Sequence, residues 1–82
     1  MKTIQLGKQG ITENFMESLK TYFNKNQNIK ITVLKSARSE GKEGKQQVKE
    51  YSEEILEKLG QNYTAKVIGF TIAVKKWRRA RS

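Results

Sequence analysis

Hydrophobic and polar residues alternate in four short stretches of the chain. These are residues 3–6, 29–33, 63–68 and 70–76, and alternation with period two is typical of strands that have one face against a core and one in water. Only Gly69 separates the last two stretches, which predicts a tight hairpin. The pattern therefore predicts a sheet with one covered face.

Two longer segments carry apolar residues at helical spacing. The first covers residues 13–25, with Thr12 placed to cap its start, and the second covers about 46–59, with Gly60 placed to end it. Residues 36–47 hold two glycines and frequent charges, which predicts a mobile loop. The order strand, helix, strand, helix, strand, strand predicts a two-layer α/β sandwich, in which a four-stranded mixed sheet carries both helices on one face.

The alternation also divides the strand residues between the two faces of this sheet. The residues expected to meet the helices are Ile4, Leu6, Ile29, Ile31, Val33, Val67, Ile72 and Val74. The other side, here called the open face, is expected to carry Thr3, Gln5, Lys30, Thr32, Lys66, Thr71 and Lys75. Because the open face nearly lacks aromatic residues, it does not resemble the base-stacking platform of an RRM.

The charge of the chain indicates a polyanionic partner. Lys and Arg number 17 against eight acidic residues, all of them Glu, which gives a formal net charge of +9 and a pI near 10. Nucleic acid is the partner that such a balance favours. No apolar run approaches the roughly 18 residues of a membrane span, and the first residues lack the apolar stretch of a signal peptide. We therefore expect a cytoplasmic protein that binds no membrane.

Cysteine and histidine are absent from the sequence. Their absence excludes disulfides, Cys/His zinc sites, cysteine nucleophiles and histidine acid–base catalysis. A chain of this size buries only about 60% of the surface that it exposes when unfolded, which leaves little core around a deep pocket. We therefore expect no enzymatic activity, no cofactor and no metal site.

The segment Gly7-Lys8-Gln9-Gly10, here called the GxxG loop, is the first candidate for ligand binding. Glycines let the backbone approach a phosphate closely, and the helix that Thr12 caps points its first N–H groups toward the loop, where an anion is favoured. Lys8 supplies a cation. A plain strand-to-helix turn is the alternative, since six glycines in 82 residues produce such spacings by chance.

The end of the chain is the second candidate. It places five cations around an indole without an acid, in the run Lys75, Lys76, Trp77, Arg78, Arg79, Ala80 and Arg81. Guanidinium groups bind phosphates and an indole stacks on unpaired bases, so this basic segment is suited to single-stranded RNA. Alternatively, Trp77 packs over the sheet edge and the arginines only keep the tail, residues 77–82, soluble.

Two further charged groups each allow two interpretations. Arg38, in the predicted mobile loop, is a third candidate for RNA contact, because flexible basic segments often become ordered on RNA; a solvated linker is the alternative. The second helix carries an acidic stripe of Glu50, Glu53, Glu54 and Glu57. Clustered carboxylates are the chemistry of a Mg²⁺ site, but helical spacing explains them as an outward face, which directs nucleic acid to the other side of the molecule.

Three stretches together resemble a known family. They are residues 6–13, reading LGKQGITE, residues 29–34, reading IKITVL, and residues 67–74, reading VIGFTIAV. A hydrophobic-Gly-x-x-Gly-Leu/Ile-Thr opening and an Ile-Gly-x-Thr hairpin near the end, in this order and spacing, resemble the CRM domain family (chloroplast RNA splicing and ribosome maturation). Its free-standing prokaryotic members are the YhbY-like proteins.

The resemblance implies a fold similar to the C-terminal domain of bacterial initiation factor three. It also implies RNA binding through a loop likened to the G-x-x-G of KH domains, and association with pre-ribosomal particles. We therefore expect residues 1–76 to form one monomeric domain that binds ribosomal RNA and assists ribosome maturation or RNA folding. Two alternatives remain open: an Alba-like dimer that coats duplex nucleic acid, and a protein-interaction subunit of a ribonucleoprotein.

Overall fold

The computed structural model describes residues 2–77 of the chain, and within them the elements follow the predicted order. The strands are β1 (Lys2–Leu6), β2 (Asn28–Val33), β3 (Tyr63–Ile68) and β4 (Thr71–Lys76). The helices are α1 (Glu13–Phe23) and α2 (Gly41–Leu59), and a short 3₁₀ turn occupies Lys35–Ala37. The predicted two-layer α/β architecture is confirmed.

The four strands form one mixed sheet in the order β1-β2-β4-β3. β1 is parallel to β2, and β4 is antiparallel to both of its neighbours. The parallel pair needs a crossover connection, which α1 provides. β3 and β4 are joined by a two-residue turn at Gly69 and Phe70, where Gly69 has a φ of 59°. The outer positions of the sheet belong to β1 and β3.

The core lies between the sheet and the two helices. Its fully buried strand residues are Leu6, Ile29, Ile31, Val33, Ile72 and Val74. The helices contribute Met16, Leu19, Phe23, Val48 and Ile55, while the predicted core residues Ile4 and Val67 are half-buried and pack against this cluster. The division of strand residues between two faces, which the alternation predicts, therefore holds.

The segment 36–47 is not the loop that its composition predicts. The 3₁₀ turn takes up its start, and α2 begins at Gly41 rather than near residue 46. Two bonds fix this region: the Ser39 N–H donates to Gln47 Oε1 at 2.6 Å, and the Tyr51 hydroxyl donates to the Ala37 carbonyl oxygen at 2.7 Å. Glycine lowers helix propensity, so local composition does not predict a helix start that these two side-chain bonds stabilise.

Candidate nucleic-acid interface

The GxxG loop forms a tight turn that connects β1 to α1. The Gly10 N–H donates to the Gly7 carbonyl oxygen at 2.9 Å, which is the bond of a β-turn. Gly10 has a φ of 69°, in the left-handed region where a side chain is disfavoured. Lys8 and Gln9 lie exposed at the tip. The turn therefore presents a cation and a side-chain amide at the surface.

Thr12 is the N-cap of α1, as the sequence predicts. Its Oγ1 accepts from the Phe15 N–H at 3.1 Å. Helix geometry leaves the N–H groups of Glu13 and Asn14 without acceptors inside the helix, and such donors at a helix start favour an anion. The carboxylate of Glu13 opposes an anion, but it belongs to a separate hollow that Glu17 also lines. Glu13 therefore lies away from the GxxG loop, whereas Glu17 also lines a hollow that it shares with Asn14, Ser18 and Tyr22.

An open groove of about 570 Å³ extends from the GxxG loop between β1 and α1. Apart from Thr12 and the loop itself, its lining residues are Ile4, Gln5, Asn14, Phe15, Ser18 and Tyr22. None of the described residues that line it is acidic. At the end far from the loop, the Lys2 ammonium lies 4.6 Å from the centre of the Tyr22 ring. The groove therefore has a lysine at each end, Lys8 and Lys2.

Arg38 lies at the same end of the sheet as the GxxG loop and is held in place. Its Nε donates to the Val33 carbonyl oxygen at 3.1 Å and its Nη1 to the Ser39 carbonyl oxygen at 3.2 Å. Its guanidinium carbon lies 3.5 Å from the centre of the Phe70 ring. Protein contacts thus hold this side chain in the structure, and its contact with RNA stays a prediction. Guanidinium has five N–H donors, so some remain for a ligand.

The basic segment at the end of the chain lies at the opposite end of the sheet. Its described part is Lys75, Lys76 and Trp77, whereas Arg78, Arg79 and Arg81 lie outside the described residues. The Trp77 Nε1–H donates to Thr64 Oγ1 at 3.0 Å, and the Lys75 ammonium lies 4.1 Å from the centre of the indole ring. Trp77 therefore packs on the open face beside β3, and its contact with RNA stays a prediction.

Sheet register separates the two predicted binding regions. Lys75 pairs with Asn28 and Lys2 with Ile29, whereas the GxxG loop follows Leu6 at the other end of β1. The four residue-to-residue steps from Lys2 to Leu6 correspond to about 13 Å along the strand. The structure thus groups the GxxG loop, Thr12 and Arg38 at one end, and Lys75, Lys76 and Trp77 at the other.

Sequence reasoning missed the groove itself. Asn14, Ser18 and Tyr22 recur every four residues along α1, and residues at this spacing lie on one helix face. This spacing, next to the GxxG loop, could have predicted the wall of the groove that α1 provides. The other wall of the groove comes from β1, and it can be identified only once the sheet order shows that β1 is an edge strand.

The acidic stripe of α2 remains a solvated helix face in the structure. Its four glutamates are all exposed, and residues 2–77 contain no group of three or more carboxylates placed to hold a metal ion. No helix in the described part of the chain is long and apolar enough to cross a membrane.

Comparison with known families gives one match. The family model described as CRS1 / YhbY (CRM) domain matches residues 1–74, which include the GxxG loop, the groove and most of the β3–β4 hairpin. This match confirms the resemblance that the sequence motifs indicate. The family is associated with RNA binding and ribosome maturation, and its domain is non-catalytic. Neither the curated proteins nor the solved structures contain a match to the chain.

Proposed function

Because the chain belongs to the CRS1/YhbY (CRM) domain family, we propose that it binds ribosomal RNA or pre-ribosomal particles through the GxxG loop and assists their maturation or folding. The observation that carries this proposal is the placement of Lys8. It is exposed at the tip of a glycine turn, directly before the capped start of α1. A phosphate at this position meets a cation and backbone N–H donors together.

The chemistry of the loop determines what kind of recognition it provides. Lysine binds a phosphate as a point charge, and backbone donors do not distinguish bases. Phosphate contacts fix the position and orientation of a nucleic acid, while base contacts specify its sequence. The GxxG loop therefore anchors the RNA backbone without selecting a sequence.

The basic residues at the other end of the sheet extend the contact. Lys75 and Lys76 are the described cations of that segment, and Lys75 lies over the Trp77 indole. An RNA strand that contacts both regions must follow the sheet for about 13 Å or more. We propose that the GxxG loop and the basic segment hold separate phosphates of one RNA strand, with Arg38 beside the loop.

Salt-dependent affinity tests the role of the loop. Lys8→Ala is expected to weaken binding to a ribosomal RNA fragment several-fold and to reduce the slope of log K against log salt by about 0.7, because one phosphate contact to a single strand is lost. Fluorescence anisotropy at several salt concentrations measures both quantities.

Lys49→Ala is the matched control for this experiment. Lys49 is an exposed lysine on α2, so the variant carries the same charge change on the face with the acidic stripe. It is expected to bind RNA as wild type does. If Lys8→Ala also binds as wild type does, the GxxG loop is only a turn between β1 and α1.

A further inference from the structure

The groove beside the GxxG loop is bounded by unpaired backbone on one side. The Leu34 N–H donates to the Leu6 carbonyl oxygen at 2.9 Å, so the backbone of Leu6 faces β2. Adjacent residues of a strand point their backbone groups in opposite directions. The N–H and C=O of Gln5 therefore face away from β2, at the outer edge of β1, and Gln5 is a lining residue of the groove.

The opposite wall of the groove comes from α1 and is both aromatic and polar. Phe15 and Tyr22 are half-buried there, and Asn14 and Ser18 expose short polar side chains beside them. Within residues 2–77, the side chains of Asn14 and Ser18 make no hydrogen bond to protein. Their donors and acceptors are thus available to a bound molecule.

We propose that this groove binds an unpaired nucleobase of the RNA whose phosphate the GxxG loop holds. Nucleobases are flat and apolar on their faces, and each carries neighbouring donors and acceptors along its pairing edge. Gln5 offers one backbone donor and one acceptor side by side, and the aromatic wall offers contact to the ring. The inference rests on the proposed function, since the phosphate is the one bound by the loop.

Charge and geometry favour a nucleotide over a peptide in this groove. The groove has Lys8 at one end and Lys2 at the other, and none of its described lining residues is acidic. The chain as a whole carries +9, so a polyanion is the occupant that complements it. Because the pairing edge of a base in a duplex is already bonded to its partner, only single-stranded or extruded nucleotides fit. The site therefore selects unpaired RNA.

The test uses wild-type protein and a matched pair of variants on α1. Ser18→Leu fills the groove, whereas Thr21→Leu places the same side chain at an exposed position that does not line it. Neither variant changes the charge. The probes are four labelled eight-nucleotide RNA homopolymers, one for each base. The homopolymer that wild type binds most tightly is then compared with an abasic RNA, which has the same backbone but no bases.

Wild type and Thr21→Leu are expected to bind the base-containing RNA about tenfold more tightly than the abasic one, the size of effect that one stacked base gives. Ser18→Leu is expected to bind both RNAs equally, with the affinity that wild type has for the abasic RNA. A duplex of the same sequence is expected to bind wild type about tenfold more weakly than the single strand.

Three results would overturn the inference. Equal binding of the abasic and base-containing RNAs by wild type means that only the backbone is recognised, which leaves the phosphate role of the GxxG loop intact. Equal binding of duplex and single strand has the same meaning. A dimer in sedimentation equilibrium that Ser18→Leu abolishes means that a second copy of the chain occupies the groove. In contrast, Lys8→Ala can keep both the wild-type affinity and the preference for base-containing RNA. That result supports base binding in the groove and refutes phosphate binding by the GxxG loop.

Discussion

Gly44, in the first turn of α2, has no room for a side chain. A Cβ at this position would overlap the carbonyl oxygen of Ser39 and lie 3.2 Å from a carbon of the Phe70 ring. The same Phe70 ring supports Arg38, whose Nη1 donates to the Ser39 carbonyl oxygen. Gly44 therefore lets the helix start pack against the residues that hold Arg38 beside the GxxG loop.

Gly44→Ala is expected to destabilise the protein, although alanine normally stabilises a helix relative to glycine. The added methyl group forces Ser39 or Phe70 to move, and overpacking of this kind costs about 1–3 kcal/mol. Urea unfolding followed by circular dichroism measures the loss. Lys45→Ala, at the exposed neighbouring position, is expected to stay within about 0.5 kcal/mol of wild type. A Gly44→Ala variant that is more stable than wild type would mean that Gly44 does not pack closely against Ser39 and Phe70 in solution.

At the scale of elements, the start of α1 depends on one side-chain bond. Thr12 Oγ1 accepts from the Phe15 N–H, and this bond fixes how the helix leaves the GxxG loop. Thr12→Val keeps the shape of the side chain but removes the acceptor, so the free energy of unfolding is expected to fall by about 1 kcal/mol.

Denaturant unfolding of Thr12→Val is compared with that of Thr21→Val. The Thr21 hydroxyl donates to the Glu17 carbonyl oxygen on the exposed face of the same helix, and that carbonyl already accepts within the helix. The control is therefore expected to change the stability by less than about 0.5 kcal/mol. Equal losses in the two variants would show that the loss of a threonine hydroxyl in general, rather than the loss of the cap bond, causes the change.

The elements themselves were predictable because the burial of apolar residues repeats along the chain. Ile29, Ile31 and Val33 alternate with polar residues. This alternation predicts the strand and which of its side chains face the helices. The early start of α2 was not predictable, because glycines at 41 and 44 disfavour a helix locally. Its stability comes from bonds such as that of Gln47 to Ser39, and contacts of this kind are not visible in local periodicity.

The sequence likewise predicts one part of the candidate site, the GxxG loop, but not the groove. The GxxG loop and Thr12 are contiguous in sequence, so a motif reveals them together. The groove combines the outer edge of β1 with one face of α1, and the contribution of Gln5 depends on β1 being an edge strand. Likewise, Arg38 was identified as a candidate from its charge, but its position beside the loop results from packing on Phe70.

At the scale of the whole molecule, the sheet separates two basic regions that the sequence places at opposite ends of the chain. Lys8 and Lys75 lie at opposite ends of the strand direction, with about 13 Å of strand between them. Groups more than about 7–10 Å apart that share no partner act independently. If each lysine contacts its own phosphate of one RNA strand, the losses of binding free energy on removing Lys8 and Lys75 should therefore add.

This expectation is tested with Lys8→Ala, Lys75→Ala and the double variant on a twelve-nucleotide single-stranded RNA. Each single variant is expected to weaken binding several-fold, and the double variant by the product of the two factors, within a factor of about two. Each substitution should also lower the salt slope by about 0.7. A double variant no weaker than Lys8→Ala would mean that the RNA ends its contact near the loop and that Lys75 serves only to cover Trp77. A loss much smaller than the product, with both single variants impaired, would place the two lysines on one phosphate, which the strand register does not allow without bending the RNA across the sheet.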